Sequence, residues 1–277
     1  MTTKFVMKLL NYAMKTWRDN LSFVLVEPKE PGNIGASARA IKNMGFRNLC
    51  LVNPQTRLTD EARWLACNAL DVLASAETFS DVKSAISDKA AVIGTSRRTG
   101  KRRGVILPVD QGAARIIALA EAGKVAILFG REDRGLLNEE VDECGLVLTI
   151  PTSKEHRSLN LAQAVLVVAY ELLKAGYAQK EKSGGQRTKG RKQKLIPRNM
   201  ESGEYGTEMV SHREICALYE RMAGTLKLLD YIPRGDRNLE AKIMQNLKHF
   251  ISRAGLTAWE MNMLHGILSQ IEQKVKK

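Results

Sequence analysis

Short apolar runs alternate with amphipathic stretches from residue 21 onward, and this alternation is the clearest pattern in the chain. The runs of strand length are SFVLVE, FRNLCLVNP, AAVIGTS, VAILFG and LVLTIP. Apolar residues at helical spacing mark the stretches TDEARWLACNALDVLASA, GAARIIALAEAGK, NEEVDECG and SLNLAQAVLVVAYELLKAG. Strands that alternate with helices are typical of a mostly parallel sheet covered on both faces. The pattern therefore predicts an α/β body.

The segment GNIGASARA follows the first predicted strand. Its glycines, Gly32 and Gly35, predict a turn, and a helix is expected from there to Met44. Further along, Thr59 is expected to cap the helix that follows it, because acidic residues occupy the first turn of that helix.

The two ends of the chain differ from this body. Residues 1–20 have apolar side chains at helical spacing and predict a short amphipathic helix. Residues 178–210 are polar and rich in Gly, Lys and Arg, as expected of a flexible basic linker. Residues 211–277 regain helical periodicity and predict a small helical C-terminal domain. Its apolar faces are predicted to comprise Ile243, Leu247, Phe250 and Ile251, and Leu264, Leu268 and Ile271.

Charge narrows the possible partners. The chain of 277 residues has 43 Lys and Arg against 30 Asp and Glu, a net charge of +13. This excess favours a polyanionic partner, either nucleic acid or an acidic membrane surface, over a basic protein with no such partner. The sequence has no unbroken apolar run long enough to span a membrane and no clear signal peptide. A cytoplasmic protein is expected.

The four cysteines, Cys50, Cys67, Cys144 and Cys216, form no C-x-x-C pair. No His and Cys residues have the sequence spacing of a zinc site, so no metal is predicted. A chain of this size needs no disulfides, and scattered cysteines in apolar surroundings fit a reducing compartment.

Four predicted strands end in turns of unusual composition. These turns are PGNIGASAR, GTSRRTGKRRG, LFGREDRGL and IPTSKEHRSLN. Ligands bind at the carboxyl ends of the strands in open α/β sheets, so the four turns together predict one composite site. The first turn matches neither G-x-G-x-x-G nor a Walker A loop, and the chain has no H-E-x-x-H or G-x-S-x-G motif. Phosphoryl transfer, metalloprotease and simple hydrolase activities therefore have no support.

Three motifs in order resemble the SPOUT superfamily of RNA methyltransferases, in its SpoU–TrmH branch. They are NIGASARAIKNMGF, ILFGREDRGL and IPTSKEHRSLNLAQAVLVVAYE. The resemblance covers about residues 21–177 and continues over 212–273, in a tail that includes IMQNLKHFISRAGLTAWEMNMLHGILSQIEQ. That tail resembles the extension of branch members that methylate the ribose of nucleotide 32 in the tRNA anticodon loop.

The resemblance implies a fold that periodicity could not supply. It implies a parallel sheet flanked by helices with a deep C-terminal trefoil knot, plus a small helical C-terminal extension. It also implies a homodimer with the site at the subunit interface, and S-adenosylmethionine as methyl donor without a metal. The expected domains are an N-terminal extension (1–20), the methyltransferase domain (21–177), the linker (178–210) and the C-terminal domain (211–277).

The resemblance also implies the catalytic residues: Asn33, Arg39, Glu132, Ser158 and Asn160. A guanidinium has too high a pKa to act as a base near neutral pH, so Arg39 is expected to stabilise the developing alkoxide and to hold a phosphate. Glu132 is expected to orient Arg39 or Arg131, or to accept a proton. Ser158 would also be a good N-cap for the apolar helix that follows it.

The implied cofactor contacts are Thr95, Ser96, Arg97, Gly130, Ile150, Ser158, Leu159 and Asn160. After GTS the chain departs from the usual pattern of the branch. It carries Arg97, Arg98, Lys101, Arg102 and Arg103, and clustered cations of this kind neutralise phosphates. The residues predicted to contact RNA are therefore Arg39, Arg98, Lys101, Arg102 and Arg103. The linker has a second basic run that ends at Lys194.

The sequence leaves three hypotheses about function open. The first is S-adenosylmethionine-dependent 2′-O-ribose methylation of tRNA at nucleotide 32. The second is methylation of ribosomal RNA by the same chemistry, against which the tail argues. The third is a non-catalytic RNA-binding protein, against which the intact motif residues argue.

Overall fold

The computed structural model describes residues 16–55, 59–98, 105–153, 155, 158–184, 208–231, 237–252 and 255–275. These residues contain one seven-stranded sheet in the order β3-β2-β1-β6-β4-β7-β5, and every neighbouring pair is parallel. The strands are β1 Leu21–Val26, β2 Asn48–Val52, β3 Glu77–Phe79, β4 Ala91–Thr95, β5 Ile106–Pro108, β6 Val125–Phe129 and β7 Leu146–Thr149. The predicted α/β class is confirmed.

Ten α-helices lie in the described residues. In the body they are α1 Pro31–Asn43, α2 Asp60–Ala66, α3 Leu70–Ala74, α4 Val82–Ile86, α5 Val109–Ala122, α6 Asn138–Asp142 and α7 Leu161–Gly184. The C-terminal helices are α8 His212–Leu228, α9 Arg237–Ser252 and α10 Ala258–Val275. Two short 3-10 helices, Trp17–Asn20 and Cys67–Ala69, complete the list.

The central strands are apolar throughout because helices cover both faces of the sheet. In β1, Leu21, Phe23 and Leu25 pack into a core shared with α1, α5 and α7. The alternate residues Val24 and Val26 pack into a second core, beside α4 and α6. Successive side chains of a strand point to opposite faces, so a strand buried on both faces becomes a continuous apolar run.

The predicted turn at Gly32 and Gly35 is wrong. Both glycines lie inside α1, which begins one residue earlier at Pro31. A Cβ on Gly35 would collide with the backbone carbonyl of Ala62 in α2. These glycines are therefore required by close helix packing rather than by a turn. Pro31 suits the first turn of α1 because its fixed φ is helical.

The predicted helix over 59–76 is interrupted. Thr59 caps α2 as expected, and its Oγ1 accepts from the amide of Ala62 at 3.5 Å. The helix ends at Ala66 because Cys67 has φ +48°, which no α-helix accommodates. The 3-10 turn from Cys67 then redirects the chain into α3.

Helix α7 is long and apolar enough over Leu161–Gln179 to cross a membrane, judged by length and composition alone. Its inner face is packed in the core of the body, where Val165, Val168, Ala169 and Leu172 are fully buried. It extends to Gly184, past the predicted domain boundary at 177. Most of the predicted linker, including its basic run to Lys194, lies outside the described residues.

The C-terminal helices form a separate small core. Its buried members are Val210, Ile215, Leu218, Tyr219, Ile251, Leu256 and Leu268. Phe250 was predicted on the buried face of α9, but it is 72% exposed, so that assignment is wrong. Ile251, the next residue and another predicted member of that face, is buried.

The start of α8 joins this unit to the body. The amides of His212 and Arg213 donate to the carbonyls of Lys89 (2.7 Å) and Ser87 (3.1 Å). The imidazole Nε2 of His212 lies 3.0 Å from the Glu143 carboxylate. Burial opposes the charged imidazole, but hydrogen bonds to Cys216 and Glu143 outweigh it and raise the pKa of His212 to about 9.

At the other end of the described chain, Trp17 packs its ring edge on Phe46, with the centroids 5.7 Å apart. The rest of the predicted N-terminal helix, residues 1–15, lies outside the described residues. The trefoil knot stays a prediction.

Candidate functional site

A cleft opens at the carboxyl ends of β4, β6 and β7, where three of the four unusual turns meet. Seven of the eight predicted cofactor residues line it: Thr95, Ser96, Arg97, Gly130, Ile150, Ser158 and Leu159. The other lining residues include Arg98, Phe129, Leu136, Leu148, Thr152, Leu161, Ala164 and the loop residues 131–135. The parallel sheet produces this convergence because all its strands end at the same edge.

The loop 131–135, which we call the cleft loop, forms one wall. The Gly135 amide donates to the Arg131 carbonyl at 2.8 Å and closes the loop. Gly135 has φ +70°, which favours glycine. A Cβ on Gly130 would collide with the backbone of Gly135 and Leu136, so only glycine fits at the end of β6. The backbone of the cleft loop therefore requires both glycines of the second motif, Gly130 and Gly135.

A buried ion triad of Arg131, Glu27 and Glu140 holds the cleft loop in place. The guanidinium of Arg131 donates to Glu27 through Nε (2.7 Å) and Nη2 (2.6 Å), and to Glu140 through Nη1 (3.0 Å) and Nη2 (2.9 Å). The Arg131 side chain is only 3% exposed. Its hydrogen bonds hold the pKa of the Glu27 carboxyl below its ordinary value, and those carboxylates raise the pKa of Arg131. Removing one partner would leave a buried charge uncompensated.

Three predicted catalytic residues from three different motifs form one hydrogen-bonded chain. Asn33 Nδ2 donates to Glu132 Oε1 at 3.0 Å, and Asn160 Nδ2 donates to Asn33 Oδ1 at 2.8 Å. Glu132 also accepts from the amides of Lys29 (3.2 Å) and Glu30 (3.4 Å). The carboxylate therefore binds the segment before α1, and not the guanidinium of Arg39 or Arg131 as predicted.

Asn160, rather than Ser158, caps α7. Its Oδ1 accepts from the amides of Ala162 (2.9 Å) and Gln163 (3.4 Å). The helix begins at Leu161, so Ser158 lies too far upstream to be its N-cap. The predicted capping role of Ser158 is wrong, and the exposed Ser158 hydroxyl belongs to the lining of the cleft.

Arg39 is exposed and is absent from the described lining of the cleft. Its Nη1 lies 3.5 Å from Cys67 Sγ, beyond the end of α2. Arg39 follows Asn33 by six residues, which corresponds to about 240° of rotation around α1. The two motif-one residues therefore project from different sides of the same helix.

Arg97 and Arg98 place two cations at the mouth of the cleft. The Arg98 amide donates to Ser96 Oγ at 3.0 Å, which shapes the chain directly after β4. The remaining predicted RNA contacts of this stretch, Lys101, Arg102 and Arg103, lie outside the described residues.

The chemistry of the lining fits an adenosyl group. Leu148, Ile150 and Leu159 supply apolar walls, and the strand ends supply backbone donors and acceptors beside the Thr95 and Ser96 hydroxyls. Small-molecule sites combine apolar surface with a few placed polar groups in this way. The residues in the cleft therefore fit S-adenosylmethionine.

Sequence reasoning missed the residues that hold this site together, chiefly Glu27 and Glu140. Neither lies in a motif, and Glu27 is 104 residues away from Arg131. The position of Glu27 directly after the first strand was the one available signal, because residues at that edge of the sheet approach the site.

Comparisons with known proteins identify the family. Residues 20–170 match the model of the SpoU rRNA Methylase family. Residues 213–277 match the model of the C-terminal domain of tRNA methyltransferase TrmJ.

Individual relatives extend over almost the whole chain. The tRNA (cytidine/uridine-2′-O-)-methyltransferase TrmJ of Photorhabdus laumondii is 34% identical and covers 94% of this chain and 99% of its own. The tRNA (cytidine/uridine/adenosine-2′-O-)-methyltransferase TrmJ of Pseudomonas aeruginosa is 35% identical, covering 92% and 95%. Among solved structures, TrmJ from Z. mobilis ZM4 has a TM-score of 0.68 at 29% identity, covering 91% of this chain and 98% of its own.

Proposed function

The chain belongs to the SpoU rRNA Methylase family of methyltransferases, and from this premise we propose that it methylates a ribose 2′-hydroxyl of tRNA with S-adenosylmethionine as donor. We place the target at nucleotide 32 of the anticodon loop. The names of the TrmJ relatives support tRNA and the 2′-oxygen. The match of the tail to the TrmJ C-terminal domain favours the same substrate class.

The observation that carries this proposal is the hydrogen-bonded chain from Glu132 through Asn33 to Asn160 at the edge of the cleft. It joins the cleft loop, the start of α1 and the start of α7, which come from three separate parts of the sequence. Such convergence of polar side chains beside an apolar pocket is typical of a site that orients two reactants.

The cofactor would be held by the strand ends. Thr95 and Ser96 offer hydroxyls, Leu148, Ile150 and Leu159 offer apolar walls, and the cleft loop closes one side. When bound, S-adenosylmethionine would supply a methyl group on a positively charged sulfur, and that sulfur would be a good leaving group because it departs as a neutral thioether. The protein contributes orientation and electrostatics to this chemistry.

As the ribose oxygen bonds to the methyl carbon, the bond from that carbon to sulfur breaks, and the hydroxyl proton passes to the adjacent phosphate, to water or to a neighbouring group. Arg39 stabilises the negative charge that develops on that oxygen and holds the adjacent phosphate, because a guanidinium offers fixed donors and stays charged. Asn33 and Asn160 orient the ribose from the edge of the cleft. Glu132 keeps Asn33 in place through the 3.0 Å hydrogen bond.

We further propose that the active form is a homodimer. Arg39 is exposed and lies outside the described lining of the cleft of its own chain, and in a homodimer the Arg39 of the second copy would act at this cleft. Large side chains exposed on α2 and α7, Trp64 (77%), Tyr170 (50%) and Tyr177 (55%), are available for such an interface. The RNA would reach the cleft past Arg97 and Arg98, and a tRNA substrate places the protein in the cytoplasm.

Methyl transfer from labelled S-adenosylmethionine to unmodified tRNA tests this function. We expect the wild-type protein to label tRNA and to leave unlabelled a tRNA that carries a 2′-deoxyribose at nucleotide 32. Equal labelling of both tRNAs would overturn the target nucleotide. Labelling of ribosomal RNA instead of tRNA would favour the alternative substrate, which the name of the matched family model suggests.

A further inference from the structure

Glu27 occupies an unusual backbone position at the end of β1. Its φ is +46°, a conformation that costs energy for any residue with a Cβ and that glycine or asparagine adopts more easily. Its amide donates to the Val52 carbonyl at 2.8 Å, which extends the pairing with β2 by one residue. A glutamate at such a position indicates that its carboxylate is needed there.

That carboxylate makes the two shortest contacts of the Arg131 guanidinium, through Nε (2.7 Å) and Nη2 (2.6 Å). Two parallel charge-assisted hydrogen bonds fix the plane of a guanidinium as well as its position. The second partner, Glu140, also accepts from the Leu137 amide at 2.7 Å and so belongs to the start of α6. Glu27 is therefore the partner that ties Arg131 to the sheet.

The same short segment reaches the cleft loop a second time. After Glu27, the amide of Lys29 donates to Glu132 (3.2 Å) and its Nζ donates to Asp133 (2.8 Å). The segment 27–30 and the cleft loop are thus joined at three consecutive residues of the loop, Arg131 to Asp133. The segment leads directly into α1, where Asn33 lies.

We propose that Glu27 is a positioning residue for methyl transfer: through Arg131 it sets the cleft loop against the start of α1, which places the cofactor wall and Asn33 relative to each other. Glu27 itself lies outside the described lining of the cleft, so its effect on the reactants passes through Arg131. This inference rests on the proposed function.

Two variants separate the carboxylate from the backbone strain. Glu27→Gln keeps the length of the side chain and removes its charge. Glu27→Asn suits the positive φ better and also removes the charge, so it stays informative if Glu27→Gln folds poorly. We expect both variants to raise the dissociation constant of S-adenosylmethionine about tenfold in calorimetry and to lower kcat on tRNA at least as much, because small displacements of positioning groups have effects of this size.

The expected pattern distinguishes positioning from general stability. The KM for tRNA should change less than about twofold, and Glu27→Gln should have no further effect in an Arg131→Gln background, since residues that act as a unit are non-additive. The matched control is Glu77→Gln, which removes an exposed carboxylate from β3 of the same sheet. It should behave as wild type.

Unchanged cofactor affinity and kcat in folded Glu27 variants would overturn the inference. Additive effects of Glu27→Gln and Arg131→Gln would overturn it as well. Absence of cofactor binding and methyl transfer in the wild-type protein would instead overturn the proposed function, and the two failures are therefore distinguishable.

Discussion

The cleft region and the C-terminal helical unit are built on different physical requirements. In the cleft, individual residues are fixed by specific contacts: Gly130 lies against the Gly135–Leu136 backbone, and Arg131 donates to the carboxylates of Glu27 and Glu140. In the C-terminal unit, Gly224 and Gly266 have open space where a Cβ would lie. Its capped helices depend on apolar periodicity and on a core of seven buried residues.

This difference predicts where the molecule tolerates change. A region held by periodicity accepts many substitutions of similar hydrophobicity, because packing can adjust. A region held by backbone contact and paired charges accepts very few, because no neighbour can move without breaking another contact. The same substitution made in both regions is therefore the direct way to examine the contrast.

The largest effect is expected for Gly130→Ala. The added methyl collides with backbone atoms of Gly135 and Leu136, which are fixed by the closed cleft loop. We expect a loss of stability of about 3 kcal/mol or more and loss of cofactor binding, measured by chemical denaturation and calorimetry. A variant with wild-type stability and affinity would show that the cleft loop is free to move.

Asn33→Asp should abolish most activity and also lower stability, because two carboxylates would then lie about 3 Å apart. The Asn33 amide donates to Glu132 Oε1 at 3.0 Å, and the substitution replaces this donor by a second carboxylate. We expect kcat to fall about 100-fold, as for other lost orienting groups. Asn262→Asp, at an exposed position of α10, is the matched control and should keep full activity. A comparable loss in the control would show that added charge alone is responsible.

The stability that the junction between the two regions contributes should depend on pH. Burial opposes protonation of His212, but hydrogen bonds to Cys216 and Glu143 raise the pKa of His212 to about 9 in the folded protein, against 6.5 in the unfolded chain. The Lys248 ammonium lies 3.6 Å from the same Glu143 carboxylate. A raised folded-state pKa gives stability that is fully present below about pH 6.5 and is lost as the pH rises through about 9.

Thermal melting of wild type and His212→Gln measures this contribution. The difference in Tm should be largest at about pH 6.5 and below and should shrink toward pH 9 and above, since the folded imidazole then loses its proton. Comparison of the two proteins cancels the titration of other groups. A difference that stays constant over this range would contradict a charged His212.

The smallest effect is expected for Gly224→Ala in α8. The position is helical and a Cβ would meet nothing within 4 Å. Alanine should stabilise the protein by about 0.5–1 kcal/mol, because glycine loses more backbone entropy in a helix. Gly266→Ala, in α10, should behave alike. Destabilisation by either alanine would mean that the C-terminal unit is packed as tightly as the cleft.

The sequence was sufficient to predict the helices and strands that have a local pattern of apolar residues. The long strands and the amphipathic helices were predicted because burial on one or both faces leaves a repeating pattern. The strands β3 and β5 were missed because each has three residues at the end of the sheet order, too few for any periodicity.

Features that depend on distant contacts were misjudged or not found. Gly35 was predicted in a turn because its requirement, close approach of α2, is tertiary. The break at Cys67 has no local signal, since cysteine at a positive φ is uncommon. The cleft residues were located through motifs, but the pairing of Glu27 with Arg131 spans 104 residues and required the structure.

The Arg39→Ala variant gives the most direct test of the proposed site, because it should separate cofactor binding from methyl transfer. Calorimetric titration with S-adenosylmethionine should give the wild-type dissociation constant, because Arg39 is outside the described lining of the cleft. Transfer of labelled methyl to tRNA by the same variant should be lost. Undiminished transfer, or loss of cofactor binding, would contradict a site in which the cleft holds the donor and Arg39 acts on the RNA.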